Sequence, residues 1–346
     1  MRKILLAVIL MTFFVMPARA LEMTAPTVPE EFQGLMPAQT ESFGQGLWKL
    51  IRNAAADLQP EIAGATRYCG TILCVCVLVS LLNSFPGGAG QLTEFAGCAV
   101  VGTLLLGQTK SMIHLAARTV AELSQYGKML LPVMAAAQAA QGGISGSAAL
   151  YAGTAAFDAV LSSVISNVMV PLVYVFLALG VAGCALGEDM LKKLQDLIKW
   201  LVTWCLKNAL YIFTGYMSIT GVVTGATDAA KLKAAKLTIS GMVPVVGGIL
   251  SDASEAVLVA AGMTKNAAGI YGLLAVATIW ISPFFGIGIQ YLLLKMTAAA
   301  CSIFQVKRVS ALVQDFSTGM GLLLGMIGAV CILVLVSTVC LMKEVG

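Results

Sequence analysis

Apolar residues run along this chain in stretches long enough to cross a bilayer, and the charges gather in the polar intervals between them. The stretches are 66–82, a core at 95–107, a short one at 129–140, then 148–169 and 170–186, the last with Pro171 at its head. A long one covers 200–223, and 237–263 is interrupted by Pro244, Gly247, Gly248 and Asp252. The series ends with 268–294, which contains Pro283, and 319–342. A helix needs about 20 mostly apolar residues to span the hydrocarbon core. In lipid, the backbone must satisfy its own hydrogen bonds. The pattern therefore predicts an all-α polytopic membrane protein: a bundle of about seven transmembrane helices with short amphipathic helices and, where a stretch is short or broken, re-entrant ones.

The polar intervals 188–199, 227–236 and 295–315 have helical spacing and read as amphipathic helices at the interface. Lys231, Lys233, Lys236, Lys295, Lys307 and Arg308 favour the cytoplasmic side. Counting crossings from an outside N-terminus would put Lys110, Arg118 and Lys128 outside, against the same rule, so the orientation of each helix stays open. Nearer the N-terminus, Leu47, Leu50, Ile51, Ala54 and Leu58 recur at helical spacing, with Lys49, Arg52 and Asp57 on the wet side. Trp48 suits a membrane interface, and packing on a partner protein explains the helix equally well. Before it, 21–40 carries Pro26, Pro29, Pro37, Glu22, Glu30 and Glu31 and reads as a loose, acidic, extracytoplasmic linker.

The first 20 residues have the layout of a secretory signal. Arg2 and Lys3 form a positive region, 4–16 an apolar one, and Ala18-Arg19-Ala20 offers a cleavage site after Pro17. A retained first helix is the alternative reading. The domain division that follows is a signal peptide at 1–20, an extracytoplasmic region with its amphipathic helix at 21–65, and a transmembrane domain at 66–346.

Composition strengthens the class without changing it. The chain is 59% hydrophobic and 11% charged, with a mean hydropathy of +0.91; a soluble domain carries about 25% charge. The formal net charge of +4 is dispersed, with no basic stripe interleaved with aromatics, so nucleic acid is not an expected partner. Nine cysteines sit mostly inside apolar stretches. Their number is odd and no C-x-x-C occurs, which reads as buried small hydrophobes rather than a disulfide framework.

Candidate chemistry is sparse. His114 is the single histidine, and no nucleophile elbow, zinc-protease, nucleotide or dinucleotide motif is present. No enzyme activity, metal or cofactor is expected, and energised transport would need a partner or an ion gradient. Two ionisable residues interrupt apolar stretches, Asp158 and Lys207. A charge at mid-membrane costs a few kcal/mol and should face a cavity or a partner. Either the two neutralise each other, or both sit near the headgroups with Lys207 snorkelling. Gly321 and Gly325 form a G-x-x-x-G pattern within the last stretch, and Gly221 and Gly225 form another. Such spacing lets helix backbones approach closely, in a tight bundle or a membrane oligomer.

The richest stretch is 241–272. Pro244, Gly247 and Gly248 break a helix in apolar surroundings. Ser251, Asp252 and Glu255 follow as a cap and acids in a first turn, and Lys265 and Asn266 close the short helix. Broken helices at membrane depth are tolerated where they are buried in protein or line a wet cavity. A re-entrant hairpin lining a path and a pair of interfacial helices both satisfy this pattern.

The run K-L-T-I-S-G-M-V-P-V-V-G-G-I-L-S-D-A-S-E at 236–255, followed by K-N-A-A-G-I-Y-G at 265–272, closely resembles stage III sporulation protein AE. The order of signal, short polar region and polytopic body fits that family too, although the N-terminal region here is rather short. The resemblance implies a membrane-embedded subunit of the channel between mother cell and engulfed forespore, a complex like specialised secretion machines. A cytoplasmic ATPase and extracytoplasmic ring proteins would be other subunits, and the location the mother-cell membrane around the forespore. It supplies no catalytic residue. The alternative is a stand-alone permease for a small solute, with Asp158, Lys207 and the broken helix as its site.

Overall fold

The computed structural model describes residues 26–29, 33, 43–85, 90–140, 144–186, 189–219 and 267–342. Among these there are helices and turns and no strand. The helices are α1 (Phe43–Asp57), α2 (Gln59–Asn83), α3 (Gly90–Ala140), α4 (Ile144–Val164), a π-helical turn (Ile165–Met169), α5 (Val170–Leu186), α6 (Asp189–Ile219), α7 (Ala267–Ile303) and α8 (Lys307–Met342). The signal at 1–20 and the second G-x-x-x-G lie outside the described residues. So do 227–236 and the broken-helix positions Pro244, Gly247, Gly248, Ser251, Asp252, Glu255, Lys265 and Asn266.

α8 is the axis. It carries the most apolar of the candidate spans and is buried along nearly its whole length. α7 packs along it most extensively, then α3, with α4, α5 and α6 completing the wall. α1 and α2 lie against α7. A helix that is hydrophobic all round must be enclosed, and α8 is enclosed by this chain's own helices.

Five helical spans among the described residues are long and apolar enough to cross a membrane: Ile62–Asn83, Leu92–Ala136, Leu150–Leu186, Gly269–Ile303 and Lys307–Met342. That is fewer than the about seven expected of the whole chain, whose stretch 237–263 lies outside the described residues, and three features of the described helices lower their share of the count. The stretches 95–107 and 129–140 belong to one helix. Lys110, His114, Arg118 and Glu122 are spaced by four, so the charges form one stripe and leave an apolar face unbroken. Ile113, Val120, Leu123 and Leu130 are buried on that face. At 51 residues and 1.5 Å each, α3 is about 76 Å long, well beyond a bilayer's hydrocarbon. Likewise 148–169 and 170–186 are continuous. The proline at the head of the second stretch, Pro171, comes two residues after the end of the π-helical turn, whose widened geometry accommodates a residue with no N–H to donate. The stretch 200–223 lies largely on α6, which begins at Asp189 and carries polar residues along one flank, leaving no sufficiently apolar window among the described residues.

The interval 295–315 is not an interfacial helix. It is the end of α7, a tight turn and the start of α8. Gln305 takes a left-handed conformation (φ 60°) in that turn, and Ser310 Oγ donates to the Ala298 carbonyl across the hairpin at 2.8 Å. Further along, Ser317 Oγ donates to the Tyr291 carbonyl at 3.1 Å. The amphipathic α1 uses Leu50 and Ala54 as its buried face, continued by buried Leu58 at the junction with α2, while Trp48 points outward. The 21–40 segment is not loose where it is described. Val28 is buried in the core, and Tyr126 Oη donates to the Pro26 carbonyl at 3.1 Å.

The cysteines are not all filler. Cys98 on α3 and Cys184 on α5 are joined in a disulfide. Their pairing depends on how α3 packs on α5, which their 86-residue separation could not reveal.

Candidate functional site

Asp158 lies on the face of α4 that turns into the bundle, 2% exposed. Opposite it on α3, Ser124 is equally buried and donates its hydroxyl to Asp158 Oδ2 at 2.7 Å. Asp158 Oδ1 is buried and has no hydrogen-bond partner. Lys128, one turn beyond Ser124 on α3, is a cation whose charge acts on the carboxylate. α4 holds the residue in place from its other side, where Phe157 packs edge-on against Phe213 and tilted against Tyr216 of α6, each with centroids 5.6 Å apart.

Lys207 does not join this site. It lies on α6, exposed, with no ion pair to Asp158, so the expected mutual neutralisation is replaced by the Ser124 hydroxyl. The physical reason is rotational. The buried face of α6 is built from Val202, Leu206, Leu210 and Phe213, and Lys207 follows Leu206 by about 100°. Gly321 and Gly325 are buried in α8. There they lie within this chain's own packing. The neighbouring Gly319 shows how tight the fit is: a Cβ there would stand 2.9 Å from Leu177 Cδ2 of α5.

A second polar place lies between α2, α3 and α7, a cavity of about 270 Å³. Gly64 and Gly286 leave the room, and Gln108 and Gln290 line it. Neither glutamine stands out in the sequence, because an uncharged residue does not interrupt an apolar run. Ser124 was invisible for the same reason.

Chemically, the arrangement at Asp158 is a carboxylate with one oxygen held and one free, in surroundings that disfavour charge. It suits taking a proton or receiving a hydrogen-bond donor. No group of three His, Cys, Asp or Glu side chains that could hold a metal exists among the described residues.

A family model described as stage III sporulation protein AE matches residues 32–344. The chain belongs to the stage III sporulation protein AE family. One relative is the stage III sporulation protein AE of Bacillus subtilis (strain 168), 23% identical over 244 residues. That alignment covers 69% of this chain and 61% of the relative. No solved structure matches. The family is named for sporulation, and five helical spans among the described residues are long and apolar enough to cross a membrane.

Proposed function

We propose that this chain is a non-enzymatic, membrane-embedded subunit of a channel complex joining mother cell and forespore, needed for endospore development after engulfment. The family match over 32–344 carries the reading. The fold supports it: an axis helix sealed within its own bundle provides a rigid platform, and Asp158 places one under-satisfied polar group inside. In this proposal the protein sits in the mother-cell membrane around the forespore. A cytoplasmic ATPase supplies energy and extracytoplasmic ring proteins dock on the outer side. The lipid-facing surface is the outward apolar side of helices such as α6, where Trp200 and Trp204 stack. A further copy of this chain is admitted in the complex.

Affinity purification of the tagged chain from sporulating cells, solubilised in mild detergent, tests the proposal. The expected result is co-purification of ring proteins and an ATPase. Recovery of the chain alone from cells shown to contain those partners would sink it and favour a stand-alone permease.

A further inference from the structure

Cys76 and Cys301 face one another across the seam between α2 and α7. Both are wholly buried, and their Sγ atoms lie 2.7 Å apart. That is well inside the ~3.5–4.0 Å of ordinary non-bonded contact and a little longer than the ~2.05 Å of a disulfide. One turn further along α2, Ser80 Oγ donates to the Phe304 carbonyl at 3.0 Å, pinning the seam where α7 turns into α8. The disulfide between Cys98 and Cys184 is at the same end of the bundle. Cys184 Sγ lies 3.4 Å from the Arg308 carbonyl, and Arg308 Nε pairs with Glu94 at 3.3 Å.

We propose that Cys76 and Cys301 form a dithiol site that a hydroperoxide oxidises to a second disulfide, cross-linking α2 to α7 as Cys98–Cys184 cross-links α3 to α5. Burial dictates the class of oxidant. A protein disulfide cannot reach sulfurs enclosed by helices, whereas hydrogen peroxide is small and neutral. One of the two sulfurs, as thiolate, attacks a peroxide oxygen. The O–O bond breaks, and a sulfenic acid forms while the departing hydroxide takes up the thiol proton as water. The second sulfur attacks the sulfenic sulfur, the S–O bond breaks, the S–S bond forms and a second water leaves. The two thiols give up two electrons, and one peroxide is reduced to two waters. The contact between the sulfurs favours this closure over further oxidation of either one. The product fixes α2 on the helix that leads directly into the buried axis.

The test uses the purified full chain in detergent and hydrogen peroxide as the probe. After quenching, the chain is denatured without reductant and alkylated with a maleimide. The adducts are counted by intact mass, and the linked peptides are mapped. Nine cysteines with Cys98–Cys184 bonded leave seven thiols. Peroxide should lower the count by two, with a peptide linking Cys76 to Cys301. Cys76→Ser and Cys301→Ser should each show one thiol fewer than the untreated chain and no fall on treatment. A preparation already two thiols short, with the same linked peptide, also supports the site. An unchanged count, loss of thiols as sulfinic acids on single residues, or a link from Cys301 to its neighbour Cys69 would each overturn it.

Discussion

Replacing Asp158 by leucine separates the two roles a buried carboxylate can have. Placing a carboxylate at the centre of a bilayer costs about 2.5–3.5 kcal/mol on insertion scales. The Ser124 hydroxyl, at 2.7 Å, offsets about 1.5–3 kcal/mol, the range for a hydrogen bond to a charged group. Oδ1 receives nothing. The group is therefore neutral or slightly unfavourable for stability. We predict that Asp158→Leu leaves stability within about 1 kcal/mol of the parent, or raises it, because an apolar residue of similar size removes the uncompensated oxygen. Ser124→Ala should instead cost about 1.5–3 kcal/mol, since it strands the second oxygen as well. In the Asp158→Leu background the same serine change should cost under about 0.5 kcal/mol, because the partner is gone. Equilibrium unfolding in one detergent measures all four chains, and sporulation efficiency with membrane levels measures function. The expected signature is a stable, membrane-resident Asp158→Leu protein that fails to support forespore development. A fall of 2 kcal/mol or more with loss from the membrane would show that the carboxylate is a structural strut. Normal stability together with normal sporulation would show that it carries no function.

Three other predictions rest on separate features. Gly321→Leu with Gly325→Leu inserts bulk into the axis helix, where overpacking costs about 1–3 kcal/mol per site; the double variant should lose monomer stability in detergent, and an unchanged unfolding midpoint would refute the packing role. N-terminal sequencing of the mature protein should begin at Leu21 or within a residue or two, and recovery of Met1 would make 4–16 a retained anchor. Single cysteines from Val245 to Ser254, in a background lacking the native nine, should react with a small water-soluble thiol reagent several residues into the apolar run, and Asp252→Ala with Glu255→Ala should impair forespore development without loss of protein. Labelling confined to the charged positions, together with full function, would favour two interfacial helices.

The class of this protein was legible from one-dimensional information. Burial in lipid demands long apolar runs and self-satisfied backbones, and those runs are visible at 66–82, 268–294 and 319–342 without any knowledge of contacts. The family, too, was carried by a local string. Asp158 was legible as well, because a charge inside an apolar run is costly wherever the helix ends up. Crossing number was not, because it depends on whether charges and prolines break a helix. The four-residue spacing of Lys110, His114, Arg118 and Glu122 and the π-helical turn before Pro171 keep α3 and α4–α5 continuous. What Asp158 meets depends on which helix packs on α4 and at what rotation. Tertiary structure gave it the hydroxyl of Ser124 and turned Lys207 outward. The same holds for the sulfurs. Cys76 and Cys301 stand 225 residues apart in the chain, and only the packing of α7 on α2 makes them neighbours. Composition and periodicity measure what a segment can do in its solvent; partners across helices are fixed by packing geometry, which no single segment encodes.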